Sequence, residues 1–350
     1  MTLKVEDIKV NGYEMVKKLM FITYKFFIFC FLFKILFISP VYSDNTEDLF
    51  QDWLLSYRKF ALKKGISQET LDFAFKDVKF LERVIMYDRK QPEFFEDTIT
   101  YISKRATSSR AKRAKKLLQK NNDLFIDVEN KFFVEKEILL ALWGIETNFG
   151  KHVGKMDIIS SLATLSYDKR RREYFSSELF ILLKLIEDKL INPNTLYGSW
   201  AGAYGNFQFM PSSIKKYAID YDENNKIELK SSLNDALASA ANYINRIGWK
   251  KGEPCFYRVK LNQEIKNKYL NLSAKKISNK LIIKKWKKKG VVNYDGTELK
   301  TNLKAALILP DGKPNTPTFL VFENYEKILK WNRSLRFGIS VCTLANMIKT

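Results

Sequence analysis

EKEILLALWGIETNFG, residues 135–150, combines a helical apolar period with a carboxylate near its C-terminal end. At about 100° per residue, Leu139 and Leu142 fall within about 40° of Glu146, with Ile138 close beside them. Apolar surroundings and the negative end of a helix dipole both disfavour an ionised carboxylate. Such a placement suits a general acid that must keep its proton near neutral pH. The plainer reading is a helix-end glutamate bonded to the following loop.

The helical pattern extends to either side. Glu135 to Leu190 forms a strongly helical block, and Asp235 to Gly248 is helical again. Between them, YGSWAGAYGNFQFMPSS at 197–213 holds three of the chain's 14 glycines and is expected to form compact loops. It lacks the strand–loop–helix context of a nucleotide loop, so its glycines need no phosphate. Upstream, Phe50, Trp53, Leu54, Tyr57 and Phe60 recur at spacings of three and four, and Ser67-Gln68-Glu69-Thr70 reads as a helix start. Lys104 to Lys120 reads as one solvated helix, with Ala106, Ala111, Ala114 and Leu117-Leu118 on its apolar side. From Lys260 to Thr318 the character changes. A cationic run fills 280–289, Gly290, Gly296 and PDGKPNTP mark turns, and Ala305 to Leu309 and Thr318 to Phe322 read as strands. Tyr325 to Ile348 returns to helix. The expected class is α+β, mainly α, with a small β-containing subdomain inserted before the last helical segment.

The chain has 350 residues, 46% of them hydrophobic, and a formal charge of +21, which excludes a wholly disordered or collagen-like protein. Three cysteines are too few for a disulfide scaffold, and one histidine excludes a multi-histidine metal site. In MVKKLMFITYKFFIFCFLFKILFISPVYS, residues 15–43, two lysines precede an apolar run from Phe21 to Ile38, and Ser43 offers a small residue for cleavage. Residues 1–43 are therefore expected to be a signal peptide or, alternatively, an N-terminal membrane anchor. They carry six lysines and three acidic residues, so cleavage leaves +18. Export makes nucleic acid a poor partner and leaves an acidic wall polymer or anionic lipid. Cys255 and Cys342 could pair in an oxidising compartment or remain two buried thiols, and spacing does not decide between these.

Four segments stand in order: ALWGIETNFG at 141–150, SLATLSYDKRRREYFSSEL at 161–179, GSWAGAYGNFQFMPSS at 198–213 and DALASAANYINRIGWKKGEP at 235–254. With WNRS at 331–334, they resemble the membrane-bound lytic murein transglycosylase B family of lysozyme-like enzymes. The resemblance runs from about Phe50 to the C-terminus and is strongest from Ile138 to Pro254. It implies a helical domain at 44–134, a lysozyme-like catalytic core at 135–258, the small β-containing subdomain at 259–323 and a C-terminal helical segment at 324–350. It also implies a periplasmic enzyme that acts on peptidoglycan glycan strands without a required cofactor. Cell-wall remodelling proteins are further candidate partners, and inner-membrane contact arises only if the N-terminal segment is retained.

Carried over residue by residue, the resemblance makes Glu146 the sole catalytic acid/base. Ser199, Gln208, Tyr243 and Asn332 fall on family substrate-binding positions. Trp331 and Phe337 stand where a family member carries tyrosines; they keep an aromatic wall for sugar stacking but lose hydroxyl hydrogen bonds. Ordinary glycosidases use two carboxylates. A lytic transglycosylase needs one, because the muramyl 6-hydroxyl closes onto C1 and gives a 1,6-anhydro end. A hydrolytic muramidase on the same scaffold and a non-catalytic peptidoglycan-binding protein are the alternatives. Around Arg170-Arg171-Arg172, Asp168 and Glu173 read as ion-pair partners that brace the fold.

Asp220 to Lys226 resembles the start of an EF-hand-like loop. Asp220, Asp222, Asn224 and the Lys226 carbonyl, closed by Asp235, would suit a structural calcium. Glu223 and Asn225 stand where the family often carries glycines, and a plain polar turn is the competing reading.

Overall fold

The computed structural model describes residues 46–90, 95–313 and 315–350; the expected export segment, 1–43, lies outside them. Two compact units divide the chain, 1–51 and 52–350, and the second holds both sheets, the disulfide and the cleft around Glu146. Among the described residues no helix is long and apolar enough to cross a membrane.

The described chain begins with helices α1 (Thr46–Lys63), α2 (Gln68–Ala74), α3 (Glu82–Arg89), α4 (Thr98–Arg105), α5 (Ser108–Lys120), α6 (Asn122–Phe132) and α7 (Lys136–Thr147). Ser67 caps α2 by accepting the Thr70 N–H, as its position suggested. The single helix expected over Lys104 to Lys120 is instead the end of α4 and all of α5. Thr107 turns extended, and its hydroxyl accepts the Arg110 N–H, so a side chain takes over an amide at the start of a new helix. Ala106 caps α4 rather than joining an apolar stripe.

Helix α7 is tied down at its start. The Glu135 carboxylate accepts Trp249 Nε1–H and the Gly252 N–H, both at 2.6 Å. From Ile138 to Gly144 every residue of α7 is buried. The helix is thus enclosed on all sides, where spacing alone suggested a one-sided stripe.

Strand β1 (Met156–Asp157) leads into α8 (Ile158–Tyr167), which packs on α9 (Arg172–Glu187). Between these helices, Arg170 Nε and Arg171 Nη1 reach the buried carboxylate of Asp88 at 2.8 and 3.1 Å, and Asp168 pairs with Arg89 at 3.1 Å. The arginine cluster holds the end of α3 against the core. Strand β2 (Tyr197–Gly198), α10 (Pro211–Tyr217) and α11 (Leu233–Arg246) follow.

The β module comprises β3 (Phe256–Leu261), β4 (Leu270–Asn271), β5 (Leu281–Ile282), α12 (Ile283–Lys287), β6 (Val291–Asn293), β7 (Lys304–Ile308) and β8 (Thr318–Val321), ahead of α13 (Glu323–Trp331) and α14 (Leu335–Lys349). Strand order is β4-β7-β8-β3-β6, with β5 also on β7; β4–β7 is parallel and the other pairings are antiparallel. Leu307, Leu320 and Val259 face a small core around fully buried Trp286, while Ala306, Ile308, Phe319 and Val321 pack toward Tyr325, Leu335 and Ile339. Both faces are covered, which is why β7 and β8 read as unbroken apolar runs without alternation. Cys255, just before β3, is disulfide-bonded to Cys342 in α14 across 87 residues, which resolves the pairing that spacing left open.

Candidate active site

Glu146 occupies the last turn of α7 and is half-buried. Beyond it the backbone turns sharply: Asn148, Phe149 and Gly150 have φ of 51°, 59° and 78°. A left-handed phenylalanine is costly and persists only where its surroundings enforce it. Here Phe149 is buried, edge-on to Trp143 at 5.6 Å and under the Arg113 guanidinium at 5.2 Å. Thr147 Oγ1 donates to the Asn206 carbonyl at 2.8 Å and accepts the Gly150 N–H at 3.0 Å. The side chain of buried Asn206 accepts Trp143 Nε1–H at 2.9 Å and donates to the carbonyls of Leu229 and Lys230 at 3.1 and 3.0 Å. One asparagine therefore joins the end of α7 to the 197–213 loops and to the segment leading into α11.

The 198–203 turn lies beside this helix end because the chain crosses itself at glycines. A Cβ on Gly154 (φ 88°) would sit 2.0 Å from the Gly198 carbonyl oxygen, next to the β1–β2 pairing of Met156 with Gly198. These contacts are with the chain itself.

A cleft of about 920 Å³ brings together Glu146, Ser199, Gln208, Trp331 and Asn332. Trp331 Nε1–H donates to Glu146 Oε1 at 2.9 Å. Its ring stacks on Tyr243 at 4.8 Å, and Tyr243 stacks in turn on Tyr217 at 4.1 Å and 7°. Phe209 meets the indole edge-on at 5.4 Å. The column of rings fixes the direction of the indole N–H. Tryptophan brings no hydroxyl to this position, but its indole N–H donates to the carboxylate itself.

Ser199 Oγ accepts the N–H groups of Ala201 and Ala203 at 3.2 and 3.0 Å, leaving its own proton to donate. Gln208, at φ 52°, donates Nε2–H to the carbonyls of Val153 and Gly205 at 3.2 and 3.0 Å. Tyr243 stands behind Trp331 and outside the cleft lining, with its hydroxyl donating to the Lys330 carbonyl at 3.1 Å. Burial pushes its phenol above the ordinary range. Phe337 corrects the sequence reading. It is 3% exposed in the first turn of α14, where that helix packs into the core, so it has no face for a sugar.

Residues 49–346 match the family described as Transglycosylase SLT domain. The chain belongs to that family. Over 121 residues it is 46% identical to membrane-bound lytic murein transglycosylase B of Escherichia coli, a match covering 34% of this chain and 33% of that relative. SltB3 of Pseudomonas aeruginosa, crystallised with NAG-NAM-pentapeptide and with NAG-anhNAM-pentapeptide, superposes with a TM-score of 0.78 at 33% identity, covering 86% of this chain and 79% of that one. Escherichia coli Slt35 in complex with calcium gives a TM-score of 0.71 at 27% identity, covering 85% and 92%. The family fold is the lysozyme-like, mainly α architecture with a small sheet.

The carboxylates of Asp220, Asp222 and Asp235 lie within 4.8 Å of one another, as the EF-hand-like spacing suggested. Glu223 and Asn225 adopt φ of 58° and 65°, so the loop takes left-handed turns without the family's glycines. Asp220 accepts the N–H groups of Asn224 and Asn225, and Asp235 accepts those of Tyr221 and Glu228. Burial raises the Asp235 carboxyl above its usual range; those two backbone bonds oppose the rise, and Asp222 and Asp220 add to it. Oxygen donors in a closed loop with unfavourable mutual charge fit a hard dication. Lys226 and Asn224 sit on the same loop.

Thr147 and Asn206 escaped the sequence reading. Thr147 adjoins Glu146 in the chain, but nothing in its type or spacing separates it from an ordinary helix-end threonine. Asn206 lies in a glycine-rich loop where asparagine is commonplace.

Proposed function

We propose that this chain is a lytic murein transglycosylase that cleaves the MurNAc-GlcNAc β-1,4 bond of peptidoglycan and leaves a 1,6-anhydro-MurNAc end. One observation carries the reading: among the described residues lining the cleft, Glu146 is the one carboxylate. A second carboxylate to activate water, as ordinary glycosidases require, has no counterpart there. In this reading Glu146 donates its proton to the glycosidic oxygen, and the substrate's 2-acetamido group stabilises the oxocarbenium-like centre. Glu146 then accepts the proton of the muramyl 6-hydroxyl as that oxygen bonds C1. Ser199 donates its free hydroxyl proton to the acetamido carbonyl. Gln208, its amide nitrogen already engaged, offers Oε1 to the acetamido N–H, and Asn332 adds a polar contact at the cleft wall. The anhydro-sugar complex of SltB3 favours this reading over a hydrolytic muramidase. Mass spectrometry of products from purified sacculi tests it: anhydromuramyl ends are expected, and exclusively reducing ends would overturn it.

Trp331 acts in this scheme through its N–H on Glu146 Oε1. That bond favours the carboxylate, so removing it lets Glu146 hold its proton to higher pH. Trp331→Phe is expected to keep the ring stack and move the alkaline limb of the kcat/KM profile to higher pH. A limb that stays in place would remove Trp331 from this role.

The segments 44–134, 135–258, 259–323 and 324–350 then serve as helical domain, catalytic core, β subdomain and closing helices. Strand β3, starting at Phe256, crosses the second of these boundaries. The enzyme would act in the periplasm on glycan strands. Asp220, Asp222 and Asp235, with Asn224 and the Lys226 carbonyl, would hold a structural calcium that pins the loop before α11 and takes no part in the reaction. Calcium at a hundredfold excess over Kd is expected to add about 2.7 kcal/mol of stability, and Asp222→Asn to remove most of it. A melting temperature equal in calcium and in a chelator would exclude the site.

A further inference from the structure

We propose that Tyr217 is a positioning residue for Glu146, acting through Tyr243 and the Trp331 indole and not through substrate; this rests on the cleavage reading above. Three rings stand nearly parallel behind the carboxylate. Tyr217 stacks on Tyr243 with centroids 4.1 Å apart and planes 7° from parallel, and Tyr243 stacks on Trp331 at 4.8 Å and 23°. The indole N–H at the end of this column donates to Glu146 Oε1 at 2.9 Å. Trp331 is among the described residues that line the cleft, and neither tyrosine is. The indole therefore lacks packing on its cleft side. Phe209 and Phe207 meet it edge-on at 5.4 and 6.4 Å and limit sideways movement. Across its ring plane the backing is Tyr243, and behind Tyr243 stands Tyr217.

Tyr217 is itself held from several directions. It is buried at the end of α10. That helix is anchored at its start, where the Ser212 N–H and hydroxyl donate to the buried Glu178 carboxylate at 2.8 and 2.6 Å. At its end, Asn242 Nδ2 of α11 donates to the Tyr217 carbonyl at 2.7 Å. Lys216 Nζ and Arg246 Cζ lie over the Tyr217 ring at 5.1 and 5.8 Å, and Arg246 Nη1 donates to the Lys216 carbonyl at 3.1 Å. Cations over a ring hold it in place by attraction to its π face. The column thus joins α10, α11 and α13 to the carboxylate on α7. A hydrogen bond weakens steeply as its angle departs from linear, so freedom gained by the indole reaches Glu146 as a weaker N–H bond. A leucine at position 217 fills much of the space but offers Tyr243 no flat face.

The test compares Tyr217→Leu with Tyr217→Phe, each alone and in the Trp331→Phe background, by the pH profile of cleavage of soluble glycan strands. A weaker N–H bond lets Glu146 keep its proton to higher pH. Tyr217→Leu is therefore expected to move the alkaline limb of kcat/KM to higher pH. Below that limb it is expected to lower kcat about fivefold with KM unchanged, the scale of one lost ring pair. Tyr217→Phe keeps the flat ring and is expected to match wild type in both respects. In the Trp331→Phe background, Tyr217→Leu is expected to move the limb no further, because the route to Glu146 is already cut. Tyr87, Lys90, Lys275, Arg333 and Arg336 also line the cleft. They are common to every protein compared, so a difference between variants reports on Glu146. A limb that stays in place in Tyr217→Leu, moves equally in both backgrounds, or moves as far in Tyr217→Phe overturns the proposal. Should circular dichroism show Tyr217→Leu unfolded, the flexible and bulkier Tyr217→Met takes its place. The nuclear magnetic resonance signal of the Trp331 indole N–H, assigned by its loss in Trp331→Phe, follows Glu146 ionisation without turnover. If wild type cleaves no strand, the catalytic reading fails separately, and this titration still decides the positioning role: a midpoint unmoved by Tyr217→Leu sinks it.

Discussion

Glu146→Gln is expected to lower product release from purified sacculi by roughly 10²–10⁴-fold, with the fold intact and glycan binding retained. The replacement is nearly isosteric, and its amide oxygen can still accept the Trp331 N–H now on Glu146 Oε1. What disappears is a proton of suitable acidity and, afterwards, a base to take the 6-hydroxyl proton. No other carboxylate among the described cleft residues can substitute. Anhydromuramyl products quantified by mass spectrometry, with circular dichroism as the folding control, decide the matter. Turnover above a tenth of wild type would mean that Glu146 is not the acid.

The second large effect is on stability. Asn206→Leu is expected to cost about 3–5 kcal/mol. The asparagine side chain accepts the Trp143 indole N–H and donates to the Leu229 and Lys230 carbonyls, and leucine can do neither. Buried polar groups stripped of partners cost far more than their bonds contribute. Because Thr147 is bonded to the Asn206 carbonyl, the turn carrying Glu146 should loosen too, and kcat should fall along with the urea midpoint. A loss below about 1 kcal/mol with unchanged kcat would show that the junction is not held this way.

Much of the architecture was legible because local patterns carried it. Ser67 capped its helix, and the runs at 305–309 and 318–322 became β7 and β8. Thr107 misled because a threonine inside an apolar helical period can either ride the helix or cap a new one, and the neighbouring packing chooses. Phe337 misled for a related reason. An aromatic near a cleft motif can face a ligand or the core, and the way α14 docks turns it to the core. Tyr243 reaches the site only through Trp331, as a ring behind a ring.

The sequence by itself determined that a carboxylate ends a helix with an apolar stripe, that several motifs stand in family order, and that the chain is mainly helical with a β insertion. These are properties of residue type and spacing, which survive without knowledge of packing. Only the tertiary structure decided that an indole 185 residues from Glu146 holds its Oε1, that Asn206 locks the turn beneath it, and that Cys255 bonds Cys342. The physical reason is that a hydrogen bond or a disulfide demands an approach of a few ångströms and a narrow range of angles. Elements far apart in the chain meet those demands only through the way their faces pack.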